Sequence, residues 1–160
     1  MTVRVKDILN SLEASAPFQL AESWDNVGLL IGSEDEVVTG VMAGLDPTND
    51  LVDEAIQAGC NTIITHHPVI FKPLARINTG TPEGTLLTKA LSHGLNIIGC
   101  HTNFDSAKEG VSDYLANRLG LQDTTPLIEA ADNDPGVGLG RIGSYPVPIK
   151  ATDFLERVLK

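Results

Sequence analysis

Cysteine, basic side chains and long apolar runs are all scarce in this 160-residue chain, and each shortage removes a class of protein. The two cysteines, Cys60 and Cys100, form neither a disulfide framework nor a zinc-knuckle spacing, so they are expected to be small hydrophobes of a protein kept in reducing cytoplasm. The apolar runs around Val41 and Ile63 fall far short of the ~18 residues that a membrane-crossing helix needs. Arg4, Lys6 and Asp7 stand where a secretory signal would need an uninterrupted apolar stretch, and none is expected. Only 11 Lys and Arg oppose 21 Asp and Glu, a net charge of −10 that repels phosphate backbones and speaks against DNA or RNA as a partner. Low-complexity tracts are also missing.

Several nucleotide and hydrolase signatures are absent as well. The sequence has no Walker loop and no G-x-S-x-G elbow, which removes the commonest α/β serine hydrolase design. Gly136-Val137-Gly138-Leu139-Gly140 lacks the spacing, the preceding strand and the helix opening of a dinucleotide loop, so it is read as glycine turns. What is present is enough apolar content, 42% of residues, to build one compact core or slightly less than two small ones.

The pattern of that content predicts an α/β chain. Apolar positions 5, 8, 9 and 12 within residues 3–15 predict an amphipathic helix closed by Pro17. Residues 39–45 predict a buried strand, and the turn at Asp46-Pro47-Thr48 opens a helix that stops at Gly59. Strand 62–65, helix 85–92, strand 95–100 and helix 110–119 follow, the last closed at Gly120. This alternation predicts a mostly parallel or mixed sheet flanked by helices. Residues 127–129 and 139–144 predict short strands, and residues 151–160 the first turns of an amphipathic helix with Thr152 as N-cap.

Ligands of open α/β sheets gather outside the carboxyl ends of the strands, and here three such ends carry unusual residues. Asp46 follows the first predicted strand, His66-His67-Pro68 the second, and His101-Thr102-Asn103-Phe104-Asp105 the third. Taken singly, the His-His pair could be satisfied by backbone carbonyls and Asp105 could cap the helix that follows it. Their convergence on one edge favours a metal site, in which paired imidazoles and a carboxylate suit zinc, iron or manganese alike. His101 is either a further ligand or a group that orients Asp105. His93, near a helix end, is expected to serve that end, and Cys100 to be inert in the core. Trp24 is expected to bury its ring while Asp25 or Asn26 caps a local turn.

Four stretches, SWDNVGLLIG (23–32), ITHHPVIF (64–71), GCHTNFD (99–105) and GLGRIG (138–143), occur in this order, and in them the chain resembles the Nif-three-like dinuclear metal-centre family, also called GTP cyclohydrolase 1 type 2 homologues. The resemblance implies an α/β fold, a toroidal homohexamer, and two divalent metals per subunit facing an internal cavity. Residue by residue it matches His66, His67 and Asp105 to metal ligands, while His101 matches a motif position of open status. It also implies a second half whose late His and Glu complete the site, and no histidine follows His101 here. Residues 1–160 are accordingly expected to be the family's N-terminal α/β domain, with 1–125 as core and 126–160 as the start of the next segment.

Two functions of different kinds follow. One is a metal-dependent hydrolase of a nucleotide or small phosphorylated substrate, GTP being the one the family's name indicates, with cations acidifying water and polarising the attacked centre. The other is a non-enzymatic metal-binding scaffold or adaptor. A mononuclear phosphoesterase is a third variant, with one metal per chain.

Overall fold

The computed structural model describes residues 2–130 and 135–159. Packing divides the chain into two units, Met1–Asn103 and Phe104–Lys160.

In the first unit, helix α1 (Val5–Ser15) opens after Arg4, whose amide donates to the Asp7 carboxylate at 2.8 Å. A single 3-10 turn, Phe18–Leu20, follows Pro17. Then come β1 (Gly28–Ile31), β2 (Val41–Gly44), α2 (Asn49–Gln57), β3 (Thr62–Thr65), α3 (Pro82–Ser92) and β4 (Asn96–Gly99). The four strands form one sheet in the order β1-β4-β3-β2. β2, β3 and β4 run parallel, and β1 lies antiparallel on β4.

Two consecutive isoleucines in each central strand cover both faces of this sheet, because successive side chains of a strand point to opposite sides. Ile63 and Ile97 join Val52 and Ala55 of α2 and Leu86, Leu87 and Ala90 of α3 in one buried cluster. Ile64 and Ile98 belong to the other, with Val5, Ile8, Leu9 and Leu12 of α1. Helices therefore cover both faces, and every residue of β4 is buried, as parallel strands require. The helix starts are set by side chains: Thr48 accepts a hydrogen bond from the Leu51 amide at 3.1 Å, and Thr81 one from the Gly84 amide at 3.2 Å.

The second unit contains the end of a short helix, α4 (Thr102–Ser106), then α5 (Val111–Leu119), β5 (Gln122–Glu129), β6 (Gly138–Ser144) and α6 (Ala151–Val158). Gly120 closes α5 at φ +77°, a conformation that costs glycine little. β5 and β6 pair antiparallel as a separate two-stranded sheet. Arg141 of β6, almost wholly buried, ion-pairs with Asp113 of α5 and donates to the carbonyls of Gly138 and Gly140 at 2.7 Å each. Tyr145 donates its hydroxyl to the Leu119 carbonyl at 2.7 Å.

Some expectations need correction. The run at 39–45 is a strand at the sheet edge with Val41 and Ala43 exposed, not a buried one, since an apolar run alone does not tell edge from centre. α3 starts at Pro82 instead of Thr85, because Thr81 caps it and the fixed φ of proline suits the first helical position. Thr152 lies inside α6, whose N-cap is Lys150; the high helix propensity of Ala151 moves the start upstream. Asp105 sits within α4 and does not cap the helix ahead of it, for Gly110 holds the N-cap position of α5. Lys160, placed in the terminal helix by sequence, lies outside the described residues.

Candidate metal centre

Three histidines meet where β3 and β4 end. His66 and His67 leave β3 directly before Pro68, and His101 stands two residues past the end of β4. One nitrogen from each of His66, His67 and His101 lies within 4.8 Å of the other two. Their ring centroids are separated by 5.1 to 5.6 Å, and no two rings are stacked parallel.

Each ring is held by its Nδ1 atom. His66 Nδ1 bonds the Cys100 carbonyl at 2.9 Å, His67 Nδ1 the Asp46 carboxylate at 2.6 Å, and His101 Nδ1 the Asp25 carboxylate at 2.9 Å. Carbonyls and carboxylates accept and do not donate, so the proton of each neutral imidazole sits on Nδ1 and its lone pair on Nε2. This is the arrangement by which proteins orient histidines toward metals.

Asp25 is the most constrained of these anchors. Its side chain is fully buried, and it also accepts from the Asn26 amide at 2.8 Å, the Thr102 amide at 3.1 Å and the Thr102 hydroxyl at 2.5 Å. Burial opposes its ionisation, but the hydrogen bonds from His101, Thr102 and Asn26 outweigh that effect and hold the carboxyl below its ordinary range. Asn26 donates to the Ile70 carbonyl at 2.6 Å, tying the same loop to the segment that follows His66-His67. Asp46 is the more open anchor, with 57% of its side chain accessible.

The donor set suits a first-row divalent cation: three imidazole nitrogens within 4.8 Å of one another, each with its tautomer fixed, leaving coordination positions for further ligands. Asp105 lies half-buried in α4, in the second unit. His93 closes α3, its Nδ1 donating to the Lys89 carbonyl at 2.9 Å, as its position predicts. Burial pushes the Cys100 thiol up to about 11, so it stays protonated and inert. Trp24 departs from expectation: 58% of it is exposed. Asp25 accepts from the amide of its neighbour Asn26, and its bond to His101 spans 76 positions, so no local signal announces it.

Residues 3–160 match the Duf34/NIF3 (NGG1p interacting factor 3) family. The chain belongs to that family. This Duf34/NIF3 chain is 37% identical over 158 residues to a Clostridium acetobutylicum protein named GTP cyclohydrolase 1 type 2 homolog, an alignment covering 99% of this chain and 59% of that protein. A protein of the same name from Staphylococcus aureus MRSA252 is 46% identical over 120 residues, 75% of this chain and 32% of its own. Among solved structures, reduced HcgD from Methanocaldococcus jannaschii superposes with a TM-score of 0.84 at 28% identity, over 99% of this chain and 60% of that one. Staphylococcus aureus protein SA1388 superposes with a TM-score of 0.76 at 43% identity, over 81% and 37%. The Duf34/NIF3 chain thus spans less than two thirds of the length of these relatives.

Proposed function

We propose that this Duf34/NIF3 chain carries the His66, His67 and Asp105 ligands of a dinuclear zinc, iron or manganese site in a cytoplasmic, homohexameric hydrolase of nucleotides or other small phosphorylated substrates. The observation that supports it is the three-imidazole cluster, one nitrogen of each ring within 4.8 Å of the other two and every Nδ1 anchored. The relatives carry the name GTP cyclohydrolase 1 type 2 homolog, which agrees with a nucleotide as the substrate.

His66 and His67 would bind through Nε2, with the Cys100 carbonyl and Asp46 holding their rings in place. Asp105 would add negative charge to offset that of the cations. His101, aimed by the buried Asp25, supplies a third nitrogen. The chemistry such cations supply is Lewis acidity, which acidifies water and polarises an attacked carbon or phosphorus centre. Local positive charge at the site overrides the overall −10 for an anionic substrate.

Elemental analysis of the purified chain, paired with its mass in solution, tests the reading. Bound divalent metal is expected, lowered by both His67→Ala and Asp105→Ala, and unchanged metal content in both variants overturns the assignment. Product release from GTP that stops on chelation and returns with one defined metal supports hydrolysis. Tight metal binding without turnover across nucleotides and phosphoesters would make the chain a metal-binding scaffold.

A further inference from the structure

Beside the imidazoles stands a pair of aromatic rings that neither the core nor the histidine cluster uses up. Trp24 is 58% exposed and Phe71 43% exposed, yet their ring centroids lie only 6.0 Å apart at an interplanar angle of 66°. Both also reach His101, at 6.4 and 6.3 Å, with interplanar angles of 76° and 80°. The three rings therefore form a corner, and His101 joins that corner to the nitrogens of the candidate metal centre.

The surrounding loop shows that this exposure is built. Asp25, next to Trp24, is fully buried and spends its carboxylate on His101, Thr102 and Asn26. Asn26 is bonded to the Ile70 carbonyl, one residue before Phe71. Neighbouring side chains thus fix both backbones while the two large rings face outward, at the cost of leaving apolar surface in water. Asp25, the carboxylate bonded to His101 of the corner, is buried and already paired, so it is not itself offered to a guest. What the corner does offer is two π faces beside ring nitrogens.

We propose that Trp24 and Phe71 form a stacking platform for a planar heteroaromatic ring, such as a purine or pyridine, and so select the substrate's ring portion. A flat ring lying on one of these faces meets the other near edge-on, the two arrangements aromatic pairs favour. Its in-plane heteroatoms then point along the corner, where His101 stands. The platform rests on the preceding reading only for what happens at the imidazoles; ring binding itself needs no cation.

Trp24 is the sole tryptophan of the chain, so its fluorescence reports this corner directly. Purified full chain is titrated with guanosine and, in parallel, with ribose, each with and without zinc. Saturable quenching by guanosine and none by ribose is expected. Phe71→Ala should weaken guanosine binding about tenfold, the size of one lost base-stacking contact, while its zinc content stays that of the parent. Phe71→Tyr should keep binding near the parental value, which excludes a folding defect at this position. His66→Ala with lost zinc but intact quenching separates the two proposals, sinking neither the platform nor its ring selectivity. Equal responses to ribose and guanosine, unaltered affinity in Phe71→Ala, or Trp24 emission that shifts with protein concentration alone would overturn the platform, the last making the corner a contact between copies.

Discussion

The two units of the chain are stabilised by different means. Met1–Asn103 buries branched aliphatic side chains on both faces of a four-stranded sheet: Ile63, Ile97, Ile98, Val5 and Val52 are all at or below 1% exposure. In Phe104–Lys160 the buried hydrophobic residues among those described are Ala107, Ala116 and Val137, while Leu127, Ile128, Ile142, Leu155 and Leu159 are all more than half exposed. What ties that unit together is polar: Arg141 bridges the Asp113 carboxylate and the carbonyls of the glycine-rich β6 start, and Tyr145 and Arg157 both reach the Leu119 carbonyl. The lesson is that one unit should fail through lost packing and the other through lost charge pairing.

Truncation of Ile97 to Ala should have the largest effect. It is fully buried at the centre of the sheet, and such a cavity costs about 2–5 kcal/mol. Leu155→Ala on the exposed face of α6 should stay within about 0.5 kcal/mol. Urea unfolding followed by Trp24 emission checks the first, and circular dichroism of the same samples the second. Equal losses in both variants would erase the contrast between the units.

The second unit is tested next by removing charge instead of volume. The Arg141 hydrogen bonds hold the Asp113 carboxyl below its ordinary value of 3.8, against the opposing effect of burial and with help from the Glu109 amide. A carboxyl whose folded value is lowered stabilises the fold above its unfolded value, and that contribution disappears as pH falls through the folded value. Amide protection in β5 and β6 should therefore drop as pH falls below the ordinary carboxyl value of 3.8. Asp113→Asn should lower that protection at neutral pH by about 2 kcal/mol, the worth of a hydrogen bond to a charged group, and flatten the acid response. If the variant keeps the parental acid slope, the polar account of this unit fails.

The same contrast explains what the sequence made legible. Where local signals and packing agree, elements stood out: the 5, 8, 9, 12 stripe of α1, the Thr48 start of α2, the isoleucine pairs of β3 and β4, and the Gly120 stop of α5. β1 escapes the sequence because a three-residue apolar run between glycines has no periodicity of its own; only pairing with β4 makes it a strand. The sequence predicts β5 over residues 127–129 alone because Pro126 argues against a strand, whereas the strand spans Gln122–Glu129. Both strands of a two-stranded ladder are edges, where proline is tolerated, and Pro126 pairs there with Arg141. At the site, His66 and His67 were legible from their place after a strand, and Asp46 from the same edge. The Asp25 anchor and the Trp24–Phe71 corner were not, since the partners lie 76 and 47 positions away in a chain that folds the loop back on itself.

Within the first unit, the two carboxylates behind the imidazoles repeat the difference between buried and exposed support on a smaller scale. Asp25 is sealed, ionised by four hydrogen-bond donations and shared between His101 and Thr102, so Asp25→Asn leaves an amide where only acceptors are wanted. One of its oxygens becomes a donor facing either the His101 Nδ1 proton or the Thr102 donors, and the imidazole loses its fixed tautomer. Zinc affinity should fall about 10–100-fold, the usual consequence of losing a carboxylate behind a metal-bound histidine. Asp46→Asn should cost less than about tenfold, because with 57% of Asp46 and 45% of His67 accessible, water takes over the Nδ1 bond. Competition titrations against a zinc chelator on both variants give the two numbers side by side. Should Asp46→Asn prove the more damaging, burial would not be what makes an anchor effective here, and rigidity of the His66-His67 pair at the end of β3 would take its place as the controlling factor.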